Sequence, residues 1–218
     1  MSTKVFERLV VGPLQVNCYL VGDPETREAV CIDPGDEADR IAAAIRQHGL
    51  DLRAVLITHA HADHIMAAPD VGDAFGVPVL APDGERELWS QAADFLAFFG
   101  YPGEQPRDPD RWVRAGKPLA FGGVRFEALD VRGHSPAALA YLADGMVFAG
   151  DALFAGSIGR TDMPGQDHAT LIDRICANLL SLPPNTRVLP GHGPETTIGQ
   201  EARHNPYLPR REDGDHGG

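Results

Sequence analysis

Between His59 and His64 the chain carries three imidazoles and a carboxylate in six residues, in the run Thr58-His59-Ala60-His61-Ala62-Asp63-His64. Imidazole is the commonest metal-binding side chain, and imidazole with carboxylate suits Zn, Fe and Mn. The run follows Ala54-Val55-Leu56-Ile57, an apolar stretch that reads as a buried strand. Strand side chains repeat every two residues, so a strand end aims His59 and His61 to one side. Asp63 and His64 then come from the turn that opens the next helix. Four donors so close together suit two adjacent ions better than one. Without a cation they would repel or stay unsatisfied, at about 1–3 kcal/mol for each buried unpaired polar group.

Three more strand ends deliver donors beside small residues: Gly133-His134-Ser135, Ala149-Gly150-Asp151 and Gly191-His192-Gly193. Glycine there lets backbone approach an ion closely. The candidate ligands are therefore His59, His61, Asp63, His64, His134, Asp151 and His192, a set that suits two ions with Asp151 bridging. His48, His168, His204 and His216 lack the strand–His–Gly setting and are left out.

The elements that must hold these donors are mostly strands. Lys4–Val11, Val16–Val21, Ala29–Ile32, 54–57, Val77–Leu80, Val124–Val131, Leu139–Leu142, Met146–Phe148 and Arg187–Leu189 read as strands. A helix over 37–47 is predicted from the one-face spacing of Ala38, Ile41, Ala42 and Ile45, with Gly49 where a C-cap belongs. Further helices are expected over 64–75, kinked or shortened by Pro69, over 85–99, after Asp167, and near 198–203. The proline-rich stretch 100–118 reads as irregular, either a cover for a site or a surface excursion. A sheet-on-sheet core flanked by helices fits this order.

The bulk numbers limit the partners. The chain has 218 residues, 43 % of them hydrophobic, enough for one core, and one domain over 1–208 with a disordered tail at 209–218 is the expectation. The net charge of −12 and the lack of a basic run argue against nucleic acid. Three scattered cysteines make no disulfide framework, and neither a signal sequence nor a membrane-length apolar run is present, so a cytoplasmic protein without membrane contact is expected. Oligomeric state is not legible.

Taken together, THAHADH with the downstream GHS, GD and PGHGP segments resembles the metallo-β-lactamase superfamily. Within it, Gly150–Phe154, Ser157–Asp162, Pro190–Pro194 with Thr196-Thr197, and Asn205-Pro206-Tyr207 are similar to the glyoxalase II (hydroxyacylglutathione hydrolase) group. The resemblance runs from Gly12 to about Leu208. It implies an α+β fold, the αβ/βα sandwich: two packed mixed sheets flanked by helices, with metals at one sheet edge. It further implies one metal on His59, His61 and His134, a second on Asp63, His64 and His192, and Asp151 between them. The two divalent ions would be zinc, with iron or manganese also used in the family. Arg160 sits where the group carries a basic residue for the glutathione carboxylate; its other reading is an ion pair with Asp162.

Two departures stand out. Family members commonly carry Gly-Gly after the HxHxDH motif, where this chain reads Ile65-Met66-Ala67-Ala68, which bears on packing behind the metals. Only 26 residues follow His192, too few for the helical domain that supplies glutathione contacts in the two-domain enzymes, so the short, single-domain type is expected.

The chemistry implied is hydrolysis of a small-molecule thioester, S-lactoylglutathione or a related hydroxyacyl-thiol, by a metal-bound hydroxide, with catalytic Asp63 both ligating and orienting the nucleophile. A thiolate leaving group, with a pKa of about 8.5, departs without a strong acid. The alternatives are a mononuclear-iron persulfide dioxygenase, which would use His59, His134 and Asp151, and a lactonase or other ester hydrolase of the superfamily.

Overall fold

The protein is described here by a computed structural model covering residues 3–98, 100–101 and 103–209. The first half of the chain forms β1 (Lys4–Val11), β2 (Val16–Gly22), β3 (Glu28–Ile32), α1 (Ala38–Gln47), β4 (Asp51–Leu56), α2 (Ala62–Ile65), α3 (Ala68–Phe75), β5 (Val79–Pro82), α4 (Arg86–Ser90), α5 (Ala92–Phe98) and β6 (Arg111–Val113). The second half forms β7 (Pro118–Phe121), β8 (Val124–Asp130), β9 (Leu139–Ala143), β10 (Met146–Gly150), β11 (Leu153–Phe154), β12 (Ser157–Ile158), α6 (His168–Arg174), β13 (Arg187–Pro190), β14 (Thr196–Thr197) and α7 (Ile198–His204). One sheet runs β1-β2-β3-β4-β5-β6, the other β14-β13-β10-β9-β8-β7, and β11-β12 is a small hairpin.

Side-chain alternation divides the interior into three layers. Tyr19, Val21, Val30, Ile32, Ala54 and Leu56 face the second sheet and meet Tyr141, Met146, Phe148 and Leu189. Their neighbours Cys18, Leu20, Ala29, Cys31, Val55 and Ile57 face α1 and α3 through Ile41, Ile45 and Val71. On the far side Ala140, Val147 and Val188 pack with Leu171, Ile175 and Ile198 of α6, its π-helical continuation and α7. This is the expected αβ/βα sandwich. Tyr19 meets Phe148 edge-on at 5.3 Å between ring centres, and Phe126 meets Phe148 at 6.3 Å. Each such pair contributes about 0.5–1.5 kcal/mol beyond its area.

Strand direction places the site. β3, β4, β5 and β6 are mutually parallel, and β10 is parallel to β13. β8 runs antiparallel to β9, and β9 to β10, so β8 shares the direction of β10. All the candidate ligands follow the C-terminal ends of β4, β8, β10 and β13. Two tyrosines lace the sheets there in opposite directions. Tyr19 of the first sheet donates to the Pro190 carbonyl of the second at 2.8 Å, and Tyr141 of the second donates to the Ile57 carbonyl of the first at 2.7 Å. Burial raises both phenols far above their ordinary range, so they stay neutral donors at any physiological pH.

Several expectations are refined. The helix over 37–47 ends as predicted: Gly49 is left-handed, its N–H reaches the Arg46 carbonyl, and Leu50 N–H reaches Ile45, a Schellman closure. The helix expected over 64–75 is two helices, and Pro69 lies in the first turn of α3, where its missing N–H costs nothing. The helix expected over 85–99 is likewise split into α4 and α5. The stretch 100–118 contains the edge strand β6, and Trp89 Nε1 donates to the Arg107 carbonyl, pinning its approach. The tail expected at 209–218 lies, save Pro209, outside the described residues. No helix of the described residues is long and apolar enough to cross a membrane.

Replacing Tyr141 by Phe leaves the buried Ile57 carbonyl without this donor at the strand end that carries the histidine run. The expected loss is about 1–3 kcal/mol of unfolding free energy, measured by urea denaturation.

Candidate metal centre

Three of the five imidazoles of the site are oriented from behind. His64 Nδ1 lies 3.0 Å from Asp33 Oδ2, and Thr58 Oγ1 donates to the same oxygen at 2.6 Å. Thr58 Oγ1 is in turn 3.1 Å from His59 Nδ1, and with its own proton given to Asp33 it accepts from that ring. His134 Nδ1 donates to the Arg160 carbonyl at 2.9 Å. These partners leave the Nε2 lone pairs of His59, His64 and His134 turned inward, a standard way of fixing the tautomer of a metal-binding histidine. Across the loops, buried Glu85 accepts from Ala60 N, Ala137 N and Ser135 Oγ at 2.6–3.1 Å, tying the His59 loop to the His134 loop.

Glycines make room where these loops meet. A Cβ on Gly191 would sit 2.2 Å from Asp151 Oδ1, and one on Gly35 would collide with the Asp63 carbonyl. Gly133 and Gly150 have positive φ of 128° and 50°.

The donor atoms fall into three overlapping groups, each within 4.8 Å: His59, His61 and His134; His59, His64 and Asp151; Asp63, His64 and His192. All seven candidate residues are thus brought together. Among the described residues His48, His168 and His204 enter no such group. His48 pairs with Glu7 and His168 contacts Thr161, while His216 lies outside the described residues.

The residues fit a metal. His61 Nδ1 is 3.0 Å from His59 Nε2 and 2.9 Å from His134 Nε2. Nitrogens on one tetrahedral ion, with bonds of about 2.0–2.1 Å, stand about 3.3 Å apart. Two buried atoms, His64 Nε2 and Asp151 Oδ1, have no hydrogen-bond partner although they lie 3.4 Å from each other. Such orphans need an explanation, and a shared cation supplies one.

The electrostatics agree. Burial, reinforced by the neighbouring imidazoles, holds His59 well below its ordinary range and His61 at about 4, so both rings are neutral, the form a metal takes. Burial opposes the charge on Asp151, but His64, His59 and His192 outweigh it and keep the carboxylate ionised. Burial likewise opposes a proton on His64 and on His192, yet the surrounding carboxylates raise both. The same carboxylates that favour positive charge on these rings favour a cation between them.

Arg160 is exposed, and its guanidinium forks onto Asp162 at 2.8 and 3.1 Å. Asp33, Thr58 and Glu85 were not singled out from sequence. For Asp33 a signal existed: it is an acid just past a buried strand, before Pro34-Gly35, the same setting as the ligands.

Comparison with known proteins agrees with this geometry. Residues 11–192 match the metallo-beta-lactamase superfamily. Hydroxyacylglutathione hydrolase GloC of Haemophilus influenzae is 39 % identical over 206 residues, covering 93 % of this chain and 97 % of that protein. The crystal structure of TTHA1623 in a di-iron-bound form has 42 % identity and a TM-score of 0.85, covering 93 % of this chain and 100 % of the other. That of BLEG-1 B3 metallo-beta-lactamase has 37 % identity and a TM-score of 0.87, covering 93 % and 98 %.

Two outcomes are expected. Asp33→Asn, which removes the charge behind His59 and His64, weakens metal affinity by about 10–100-fold in competition with a chelator, whereas His168→Ala leaves metal content unchanged. Because His64 and His192 have raised pKa values in the metal-free protein, metal uptake near pH 7 displaces protons, and affinity falls as pH is lowered. Calorimetry in buffers of different ionisation enthalpy reads the protons released; a heat independent of buffer contradicts this.

Proposed function

The chain belongs to the metallo-beta-lactamase superfamily and is a metal-dependent hydrolase, and on that premise we propose that it cleaves a thioester, S-lactoylglutathione or a related hydroxyacyl-thiol. The observation that carries this reading is the gathering of all seven donors, in two histidine-rich groups flanking Asp151, in a chain 39 % identical to a hydroxyacylglutathione hydrolase over nearly its whole length. We assign His59, His61 and His134 to one ion, Asp63, His64 and His192 to a second, and Asp151 to both. The donor set is nitrogen and oxygen without thiolate, which suits zinc, with iron or manganese as substitutes.

Divalent ions held there supply Lewis acidity and bring the pKa of a bound water towards neutrality. The remaining work falls to the chain. Asp63 stays ionised because His64 and His192 outweigh its burial, and its Oδ2 lies 3.2 Å from His192 Nε2. From there it accepts a proton from the attacking water and orients the oxygen towards the carbonyl carbon. As the C–O bond forms the C–S bond breaks; the products are a carboxylate and a thiol, and the leaving thiolate needs no strong acid. Ser135 is no rival nucleophile, since its hydroxyl donates to Glu85. Arg160 releases Asp162 to meet a substrate carboxylate, an exchange made easy by the small worth of an exposed ion pair, about 0–1 kcal/mol.

The intact Asp63–His64–His192 group favours this over a mononuclear-iron dioxygenase, which would leave those donors unused. A second reading, β-lactam hydrolysis, is favoured by the likeness to BLEG-1.

The expected kcat/KM on S-D-lactoylglutathione, followed by thiol release, lies in the range of about 10⁴–10⁸ M⁻¹s⁻¹. Asp151→Ala lowers metal content and abolishes turnover, and full activity in that variant would sink the two-ion assignment. Turnover of a β-lactam but of no thioester would transfer the assignment to the second reading. Arg160→Ala is expected to raise KM for glutathione thioesters with little change in kcat.

A further inference from the structure

Three cavities reach the candidate metal centre; one of about 300 Å³ lies beside His192 and carries Arg8, and the other two differ in character. The smaller, about 210 Å³, reaches His61 and His134 and includes Gln91 and Gln166. The larger, about 340 Å³, reaches Asp63 and lies among the turn between β1 and β2, α2's end and α5. Its walls are apolar: Leu14, Met66, Leu96 and Tyr101 line it, and Leu14 and Tyr101 stand about two-fifths exposed at its mouth. Among the described residues, the only charged groups lining it are two acids, Asp36 and Asp63.

A thioester has two arms on either side of its carbonyl. Biological thiol carriers bear carboxylates or phosphates, and an anionic arm meets no cationic side chain in the larger cavity and has Asp36, which holds no ion, to repel it. An uncharged aliphatic acyl arm meets side chains that gain from being covered. Asp63, which borders the cavity, also belongs to the metal-binding group, so a chain lying in the cavity starts at the reacting carbonyl. Lactoyl, with two carbons beyond its carbonyl and a hydroxyl, leaves most of that space unfilled.

We propose that the cavity bounded by Leu14, Met66, Leu96 and Tyr101 receives the acyl chain, and that the enzyme prefers thioesters of medium-length apolar acids to lactoyl thioesters. This rests on the thioesterase reading above and moves its preferred acyl group from hydroxyacyl to apolar. Burial of each further methylene, worth about 0.8 kcal/mol, raises kcat/KM by about fourfold until the cavity is full.

The test compares S-lactoyl-, S-butanoyl-, S-hexanoyl- and S-octanoylglutathione on the metal-loaded protein, alongside competitive inhibition by butanoate, hexanoate and octanoate. The expected result is a rise of about 16-fold in kcat/KM from butanoyl to hexanoyl, two methylenes at fourfold each, with inhibition constants falling in parallel. Leu96→Trp and, at the mouth, Leu14→Trp each lower the hexanoyl-to-lactoyl ratio at least tenfold. Two variants at different depths guard against one that fails to fold. Turnover of lactoyl thioester with a flat or falling acyl series, or ratios unmoved by both tryptophans, overturns the acyl assignment alone. No turnover of any thioester overturns the parent reading and the preference with it. The carboxylate series then still shows whether the cavity takes an aliphatic chain.

Discussion

One buried carboxylate governs the geometry of the centre. Asp33 lies at the end of β3, 2 % exposed and with a left-handed φ of 51°. It accepts from the Thr58 amide at 2.7 Å, from the Thr58 hydroxyl and from His64. Its own amide donates to the Leu56 carbonyl at 3.0 Å. A single side chain thus stitches β3 to β4, sets the ring of His64 directly and that of His59 through Thr58. An aspartate tolerates the left-handed conformation better than a β-branched or bulky residue. Were this carboxylate displaced, the loss would spread to all three groups of donors, because His59 and His64 each contribute to two of them.

The same arrangement concentrates negative charge. Asp33, Asp63 and Asp151 each come within 4.0 Å of the His64 ring, in a protein already at −12. Burying carboxylates without compensation is expensive. In the metal-free chain His64 and His192 take up part of the burden as cations, and burial leaves His59 and His61 neutral. The four rings therefore play two different electrostatic parts, set by which carboxylates they face. An acidic surface is compatible with an anionic substrate for the same reason: potential near the reacting atoms is decided by the ions and the rings, not by the distant surface.

What sequence made legible was whatever spacing carries locally. The histidine run, the GHS, GD and GHG strand ends and the sandwich could be read because each donor follows an apolar strand within one to eight residues. The pieces that escaped were short or depended on distant partners. β6, β11, β12 and β14 have two or three residues each, too few to show an alternation, and exist because a neighbouring strand pairs with them. Glu85 looked like an ordinary helix start; its role as an anchor for Ala60, Ser135 and Ala137 depends on contacts 25 to 52 residues away. The split at Pro69 was visible as an interruption, but only packing decides whether a proline kinks one helix or begins another. For Arg160, sequence offered two partners, and the structure shows the pair with Asp162.

The sheet order has a consequence for how the protein is made. His192 follows β13, the second-last strand, yet Val16, at the start of β2, bridges to it, and the Asn17 amide donates to Gly191 at 2.6 Å. During synthesis the histidine run emerges long before its partner strand. A metal captured early would meet only His59, His61, Asp63 and His64, without the rings and carboxylate that divide these donors between groups. The complete centre closes only when the last sheet strands are docked against the first. Ligand binding to the native state alone then acts as a latch by mass action, holding the two ends of the chain together after the slow, long-range pairing has been made.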